Sequence, residues 1–269
     1  MVEAYVVCTN PRSGSTLLCK GLAATGRAGA PAEFFDHRPE VAEYWMNRYG
    51  IASETEFAVG IVAATSTPNG VFGTKLHWTC LLDMHRALRA SFAPRATDPE
   101  RHSLDDLLRM HFTSARYIWL RRRNKVAQGI SHFRACKTGM WESPYGHPVR
   151  SEKYQRSVQF DYRFIERCAI EAQHYEREWG AYFQRRSLAP LELFYEDLIG
   201  DYDQTLRVVL SFLGIPHSDL PKTKPQLQQL ADATSLLWEK RYRALEPAAR
   251  HDAMVSEPNP FDRKRPGVH

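Results

Sequence analysis

The residues of this chain best suited to chemistry on an anion are Arg12, Glu33, Lys75, His77 and the run Arg121-Arg122-Arg123. Arg12 lies in Pro11-Arg12-Ser13-Gly14-Ser15-Thr16-Leu17, between a short apolar run and a helical pattern. A strand, a tight turn and a helix start in that order aim backbone N–H groups and a helix dipole at a negative group. ATP-binding loops of this kind end in Gly-Lys-Ser/Thr. Here Gly14 is followed by Ser15 and Thr16, and the cation stands two residues earlier, at Arg12. The loop therefore suits a phosphate or sulfate rather than ATP with magnesium. An ordinary strand–helix junction capped by serine would use the same residue types.

Three further groupings carry chemical potential. Arg121-Arg122-Arg123 closes an apolar run and is followed by Ser131 on a helical pattern. A guanidinium and a hydroxyl so placed can share one phosphate, although a solvated basic strand end reads the same way. Lys75 and His77 alternate along a strand and so share a face. Lys75 suits developing negative charge, His77 suits general-base work, and snorkelling at a strand end is the structural alternative. Glu33 stands beside Phe34 and Phe35. Partial desolvation there is expected to raise its proton affinity and make it a rival base, against the plainer reading of a surface-loop glutamate. Tyr195, in Phe194-Tyr195-Glu196-Asp197-Leu198, sits at a further strand end.

Apolar runs predict four strands, at Tyr5–Thr9, Val71–Leu76, Arg116–Leu120 and Pro190–Tyr195. Helical patterns between them cover roughly 15–25, 41–49, 53–64, 81–91, 104–112 and 124–136. A long helix then carries the stripe Ile165, Cys168, Ala172, Tyr175, Trp179 and Tyr182, and helices follow at 202–213 and 235–245. Alternation of this kind predicts an α/β fold, a P-loop-like parallel sheet flanked by helices. Ligands of such sheets bind at the carboxyl ends of the strands, where Arg12, Lys75, the arginine run and Tyr195 all fall. Residues 1–269 read as a single domain, with a mobile surface loop at 138–152 and a loose tail after 247.

Composition sets outer bounds. The chain of 269 residues is 43% hydrophobic and 25% charged, enough for a core, with a formal net charge of +5. That charge is too modest to imply nucleic acid. Cysteines at 8, 19, 80, 136 and 168, without a Cys-x-x-Cys, read as reduced thiols, and the N-terminus lacks a secretion-type pattern, so a cytoplasmic protein is expected. No apolar run is long enough to predict stable membrane insertion, and no ligand spacing predicts a metal.

Taken together, these residues resemble sulfotransferases that use 3′-phosphoadenosine-5′-phosphosulfate (PAPS), releasing 3′,5′-adenosine bisphosphate (PAP). The chain is similar above all to the bacterial trehalose 2-sulfotransferase family. The likeness rests on Arg12–Leu18, on Gly29-Ala30-Pro31-Ala32-Glu33-Phe34-Phe35 and on Pro68-Asn69-Gly70-Val71-Phe72-Gly73-Thr74-Lys75-Leu76. Further matches are Gln128…Ser131…Arg134-Ala135 and Trp238…Arg241-Tyr242-Arg243-Ala244. The resemblance implies a sulfotransferase fold and the following roles. Arg12, Ser13, Gly14, Ser15, Thr16 and Leu17 hold the 5′-phosphosulfate, Arg122 or Arg123 with Ser131 holds the 3′-phosphate, and Tyr195 approaches the adenine. Trp238 and Arg241 substitute for the donor-binding Arg-Lys-Gly segment of animal enzymes, which this chain lacks. The resemblance favours Glu33 over His77 as the base. It further implies a carbohydrate or glycolipid acceptor, pairing of two copies and no metal. Segments 36–67 and 138–160 show no similarity to the family, so the acceptor itself is not carried over.

Overall fold

Residues 4–8 alternate between two apolar surroundings, and the whole fold follows from that. Ala4, Val6 and Cys8 face one hydrophobic core, and Tyr5 and Val7 face a second. A strand apolar on both sides must lie inside a sheet covered on both faces. The computed structural model describes residues 3–36, 38–92, 104–112, 115–142, 158–227 and 231–253. In it, β1 (Glu3–Thr9), β2 (Val71–His77), β3 (Ala115–Arg121) and β4 (Leu191–Phe194) form one sheet in the order β2-β1-β3-β4. All three pairings are parallel. The chain leaves β1 toward one edge and later crosses back to the other, so the switch point lies between the carboxyl ends of β1 and β3.

One face of the sheet is covered by α3 (Phe57–Thr65), α4 (Leu81–Phe92), α5 (Leu104–His111) and α7 (Tyr162–Arg185). Trp179 of α7 is fully buried there, and its indole N–H donates to the Thr9 carbonyl at 3.1 Å, tying α7 to the end of β1. The other face is covered by α1 (Ser15–Ala24), α8 (Tyr195–Gly200) and α9 (Tyr202–Phe212). A third cluster joins α6 (Lys125–Thr138), α7 and α10 (Ala233–Ala253) around Phe133, Ile165 and Trp238. Asn124 caps α6 as its side chain requires, accepting from the Ala127 N–H at 3.0 Å. The aromatic helix α2 (Pro39–Tyr49) packs on α3 without burying any residue fully.

The structure adjusts several expectations. Tyr195 begins a helix rather than ending β4, because Glu196 and Asp197 supply the acidic first turn that a helix N-terminus favours. Residues 54–56 form a separate 3₁₀ turn before α3. The last helix continues past Pro247 to Ala253 rather than loosening at 247. Most of the loop expected at 138–152 and the tail from 254 lie outside the described residues, although Thr138 itself closes α6. Among the described residues, no helix is long and apolar enough to cross a membrane.

Candidate active site

The turn after β1 is built from inside. Ser13 is buried, and its hydroxyl donates to the Asn10 carbonyl at 2.9 Å and shares a hydrogen bond with the Thr9 hydroxyl. Arg12 and Gly14 both take positive φ, 65° and 86°. A turn of this kind gathers backbone N–H groups into a concavity for an anion. Gly14 is needed for a second reason: a Cβ there would lie 2.5 Å from Cδ2 of the Tyr195 ring. Glycine thus lets α8 close against the loop, with α1 opening from Ser15.

Beside this turn is a cleft of about 570 Å³. Arg12, Gly14, Ser15, Thr16, Leu17, Arg122, Ser131 and Tyr195 all line it. Arg12 Nε donates to Ser131 Oγ at 2.9 Å, and its Nη1 donates to the Trp141 carbonyl. Arg122 Nη1 donates to the Arg12 carbonyl at 3.1 Å, and its guanidinium lies over the Tyr195 ring at 4.5 Å. Arg122 is only 9% exposed, and its Nε is buried without a partner. Neither Arg12 nor Arg122 pairs with a carboxylate among the described residues. Burial, then the charge of Arg122, lowers Arg12 to about 10, and burial lowers Arg122 as well. Glu196 and Glu239 at the cleft wall act on Arg122 through their charge, but no carboxylate bonds to either guanidinium among the described residues, and this suits the half-buried Arg12 and buried Arg122 to an incoming anion.

The neighbouring arginines differ. Arg121 pairs with Glu176 and Glu192, both at 2.9 Å, and Arg123 turns outward to Asp197 at 2.7 Å. Of the two positions left open by the motif, Arg122 faces the cleft.

Glu33, Lys75 and His77 do not line the cleft and form a second cluster. The Ala32 carbonyl accepts from the Lys75 backbone N–H at 2.9 Å, so the chain before Glu33 runs along β2. The Glu33 carboxylate then meets Lys75 Nζ at 2.9 Å and His77 Nδ1 at 2.9 Å. Lys75 Nζ also donates to Thr16 Oγ1 at 3.4 Å, linking this cluster to the cleft. Burial pushes the Glu33 carboxyl up, but the hydrogen bonds and charges of His77 and Lys75 overcome that and hold it well below the usual carboxylate range. The expectation of a raised proton affinity is therefore reversed. Phe34 and Phe35 point into the core, and the carboxylate's own neighbours are a lysine and a histidine.

Three expected donor-site side chains are elsewhere. Ser13 is consumed by the turn. Trp238 is buried against Phe133 and Phe160, and Arg241 lies over Phe160 at 4.4 Å in a separate open depression. The adjacent face of α10 lines the cleft, through Ser235, Leu236 and Glu239. Arg134 went without a role in the sequence reading. It lines the cleft and binds Asp232 through two bonds of 2.6 and 2.9 Å, fastening the start of α10 to α6. A signal for it was present: Asn124, Ala127, Ser131, Ala135 and Thr138 line the cleft at helical spacings of 3 and 4, and Arg134 adjoins that face. Ligand atoms of Glu33, Asp36 and Cys80 lie within 4.8 Å of one another, but Glu33 is held by Lys75 and His77 and Asp36 by Arg38 at 2.8 Å.

A parallel α/β sheet with an anion-suited turn and two adjacent guanidiniums at its switch point defines an anion-binding class of protein. The chain belongs to the Stf0 sulphotransferase family, matched over residues 4–245. It is 27% identical over 270 residues to a trehalose 2-sulfotransferase of Mycobacterium tuberculosis (strain Erdman), covering 91% of this chain and 96% of that one. It is 29% identical over 268 residues to a trehalose 2-sulfotransferase of Mycolicibacterium smegmatis, covering 89% and 94%. A sulfotransferase structure from Alicyclobacillus acidocaldarius superposes with a TM-score of 0.46 at 14% identity, over 98% of this chain and all of that one.

Proposed function

We propose that this sulfotransferase moves a sulfonate from PAPS to a hydroxyl of a carbohydrate or glycolipid. The observation that carries the reading is the pair of a half-buried Arg12 and a buried Arg122, adjacent in the cleft and with no carboxylate bonded to either among the described residues. PAPS supplies, when bound, a sulfonate whose sulfur–oxygen bond to phosphate breaks as the acceptor hydroxyl attacks. Arg12 and the N–H groups from Gly14 to Leu17 receive the 5′-phosphate end. Arg122 and Ser131 receive the 3′-phosphate and so discriminate against ATP, and Tyr195 supplies a planar surface for the base.

Lys75, reaching Thr16 at the cleft wall, neutralises charge developing on the leaving oxygen. Glu33 accepts the proton of the attacking hydroxyl. Its depressed proton affinity keeps it ionised at neutral pH, so it takes the proton late, when the hydroxyl has become acidic. His77 holds Glu33 Oε1 and orients the carboxylate.

Calorimetric titration with PAP, beside ADP with and without magnesium, tests the reading. Micromolar PAP binding that is lost in Arg122→Ala is expected. Preference for magnesium-ADP would overturn it in favour of a small-molecule kinase, and binding of neither would favour a non-catalytic glycan- or anion-binding protein.

A further inference from the structure

Two groups beside Arg12 have no part in the chemistry above. His132 follows Ser131 on α6, the residue whose hydroxyl accepts from Arg12 Nε. Trp141 follows the end of α6 and offers its carbonyl to Arg12 Nη1. Its indole is 50% exposed and lines the cleft. The other five tryptophans are buried or half-buried. An indole left at a cleft lip, with its backbone already committed to the anion-binding arginine, has no packing role to account for it. The His132 and Trp141 rings stand 5.8 Å apart, inclined at 58°.

The position of His132 ties that pair to the transfer site. It lies in the electrostatic field of Arg12 and of His77, with Glu171 of α7 as the facing acid. It adjoins the anion turn through Ser131, the residue before it on α6, which accepts from Arg12. Burial lowers the proton affinity of its imidazole, and Glu171 opposes that shift without reversing it. A neutral imidazole has one N–H donor and one lone pair, and a sugar hydroxyl is likewise both donor and acceptor. An indole face complements the C–H face of a sugar ring, apolar in the middle and polar at its rim.

We infer that His132 and Trp141 form the acceptor subsite, Trp141 stacking on a sugar ring and His132 orienting one of its hydroxyls toward Glu33. The inference rests on the PAPS reading of the cleft and adds the chemistry of the acceptor. Trp141→Ala keeps the carbonyl that Arg12 uses, so the indole can be tested without disturbing the anion site.

The experiment titrates the PAP complex with trehalose, glucose and N-acetylglucosamine, and measures sulfonate transfer to whichever binds. Trp141→Ala should weaken sugar binding by about tenfold, with Trp141→Phe recovering part of it and PAP affinity staying within about twofold. His132→Ala should raise the acceptor KM by a similar factor, and His132→Gln, which keeps a donor and an acceptor, should recover part of the loss. Unchanged sugar affinity in both alanine variants would overturn the inference. So would a parallel loss of PAP affinity, which would assign the pair to the donor, or a wild-type PAP complex that binds none of the three sugars. Failure of the wild-type protein to bind PAP is a separate result that overturns the donor reading beneath it.

Discussion

Arg122→Met separates binding from folding in one variant. In the free protein the arginine contributes a hydrogen bond to the Arg12 carbonyl and a contact with the Tyr195 ring. Those are worth about 1 kcal/mol for the bond and about 0.5–2 kcal/mol for the ring. Against them stand a buried Nε with no partner, about 1–3 kcal/mol, and the cost of a second cation beside Arg12. Burial depresses the proton affinity of Arg122, so at neutral pH its charge works against the folded state. Methionine fills similar space with an adaptable apolar chain. The terms cancel to within about 1 kcal/mol, so the melting temperature should move by no more than roughly 2–4 °C, upward or downward. Bound PAP changes the balance, because charge-assisted bonds to its phosphate are worth about 1.5–3 kcal/mol. Affinity should fall roughly ten- to hundredfold, and the thermal shift produced by PAP should shrink accordingly. Differential scanning fluorimetry with and without PAP, alongside calorimetry, reads both quantities. A melting temperature lowered by roughly 10 °C with PAP affinity intact would show that Arg122 serves the fold, and the counterion argument would fail.

Other outcomes follow from the same geometry. Glu33→Gln should reduce sulfonate transfer by about a hundredfold or more while calorimetry shows PAP affinity retained. Because the folded carboxyl of Glu33 is depressed, its stabilising contribution is present above the ordinary carboxylate value near ~4.3 and is lost as pH falls through the folded value. The stability deficit of Glu33→Gln, measured by urea unfolding, should therefore be large at neutral pH and shrink in acid below that range. Gly14→Ala, at φ 86° and with a Cβ 2.5 Å from the Tyr195 ring, should lose more than about 1 kcal/mol of stability by the same assay and weaken PAP binding. Arg123→Ala should leave PAP affinity within about twofold, because its guanidinium is engaged by Asp197 at the surface; a loss like that of Arg122→Met would exchange the two roles.

β1 was legible because it is apolar on both faces, β2 and β3 because each carries a run of apolar residues, and β4, an edge strand with an exposed Glu192, because Leu191 and Leu193 mark one apolar face. The turn after β1 was legible from Arg12-Ser13-Gly14, and the shared strand face of Lys75 and His77, which both reach Glu33, followed from simple alternation. Glu33 was harder. Its neighbours in sequence, Phe34 and Phe35, suggested an apolar setting, but its neighbours in space come from β2 and reverse the direction of the effect. Local sequence cannot report a field made by residues about forty positions away. Trp238 and Arg241 show a different limit. Motif likeness located the right helix, yet Trp238 and Tyr242, four apart, form the buried stripe and leave Ser235 and Glu239 to the cleft. Arg122 was resolved from Arg123 only by the partners each neighbour finds, Glu176, Glu192 and Asp197.

The contact that delivers Glu33 has a second consequence. β2 is an edge strand, and an edge strand offers its unpaired N–H and C=O groups to any other extended chain. Along this edge the Ala32 carbonyl takes the Lys75 N–H, Thr67 N–H donates to the Val71 carbonyl, and Gly29 lies so close that a Cβ would meet Gly73 N and Val71 O at 3.0 Å. The segment that carries Glu33 is thus also a plug against strand addition. When it peels away, the Glu33 carboxylate leaves Lys75 and His77, and an adhesive edge flanked by Phe72 and Leu76 is uncovered in the same movement. Inactivation and self-association of this protein should therefore begin together, from one loop.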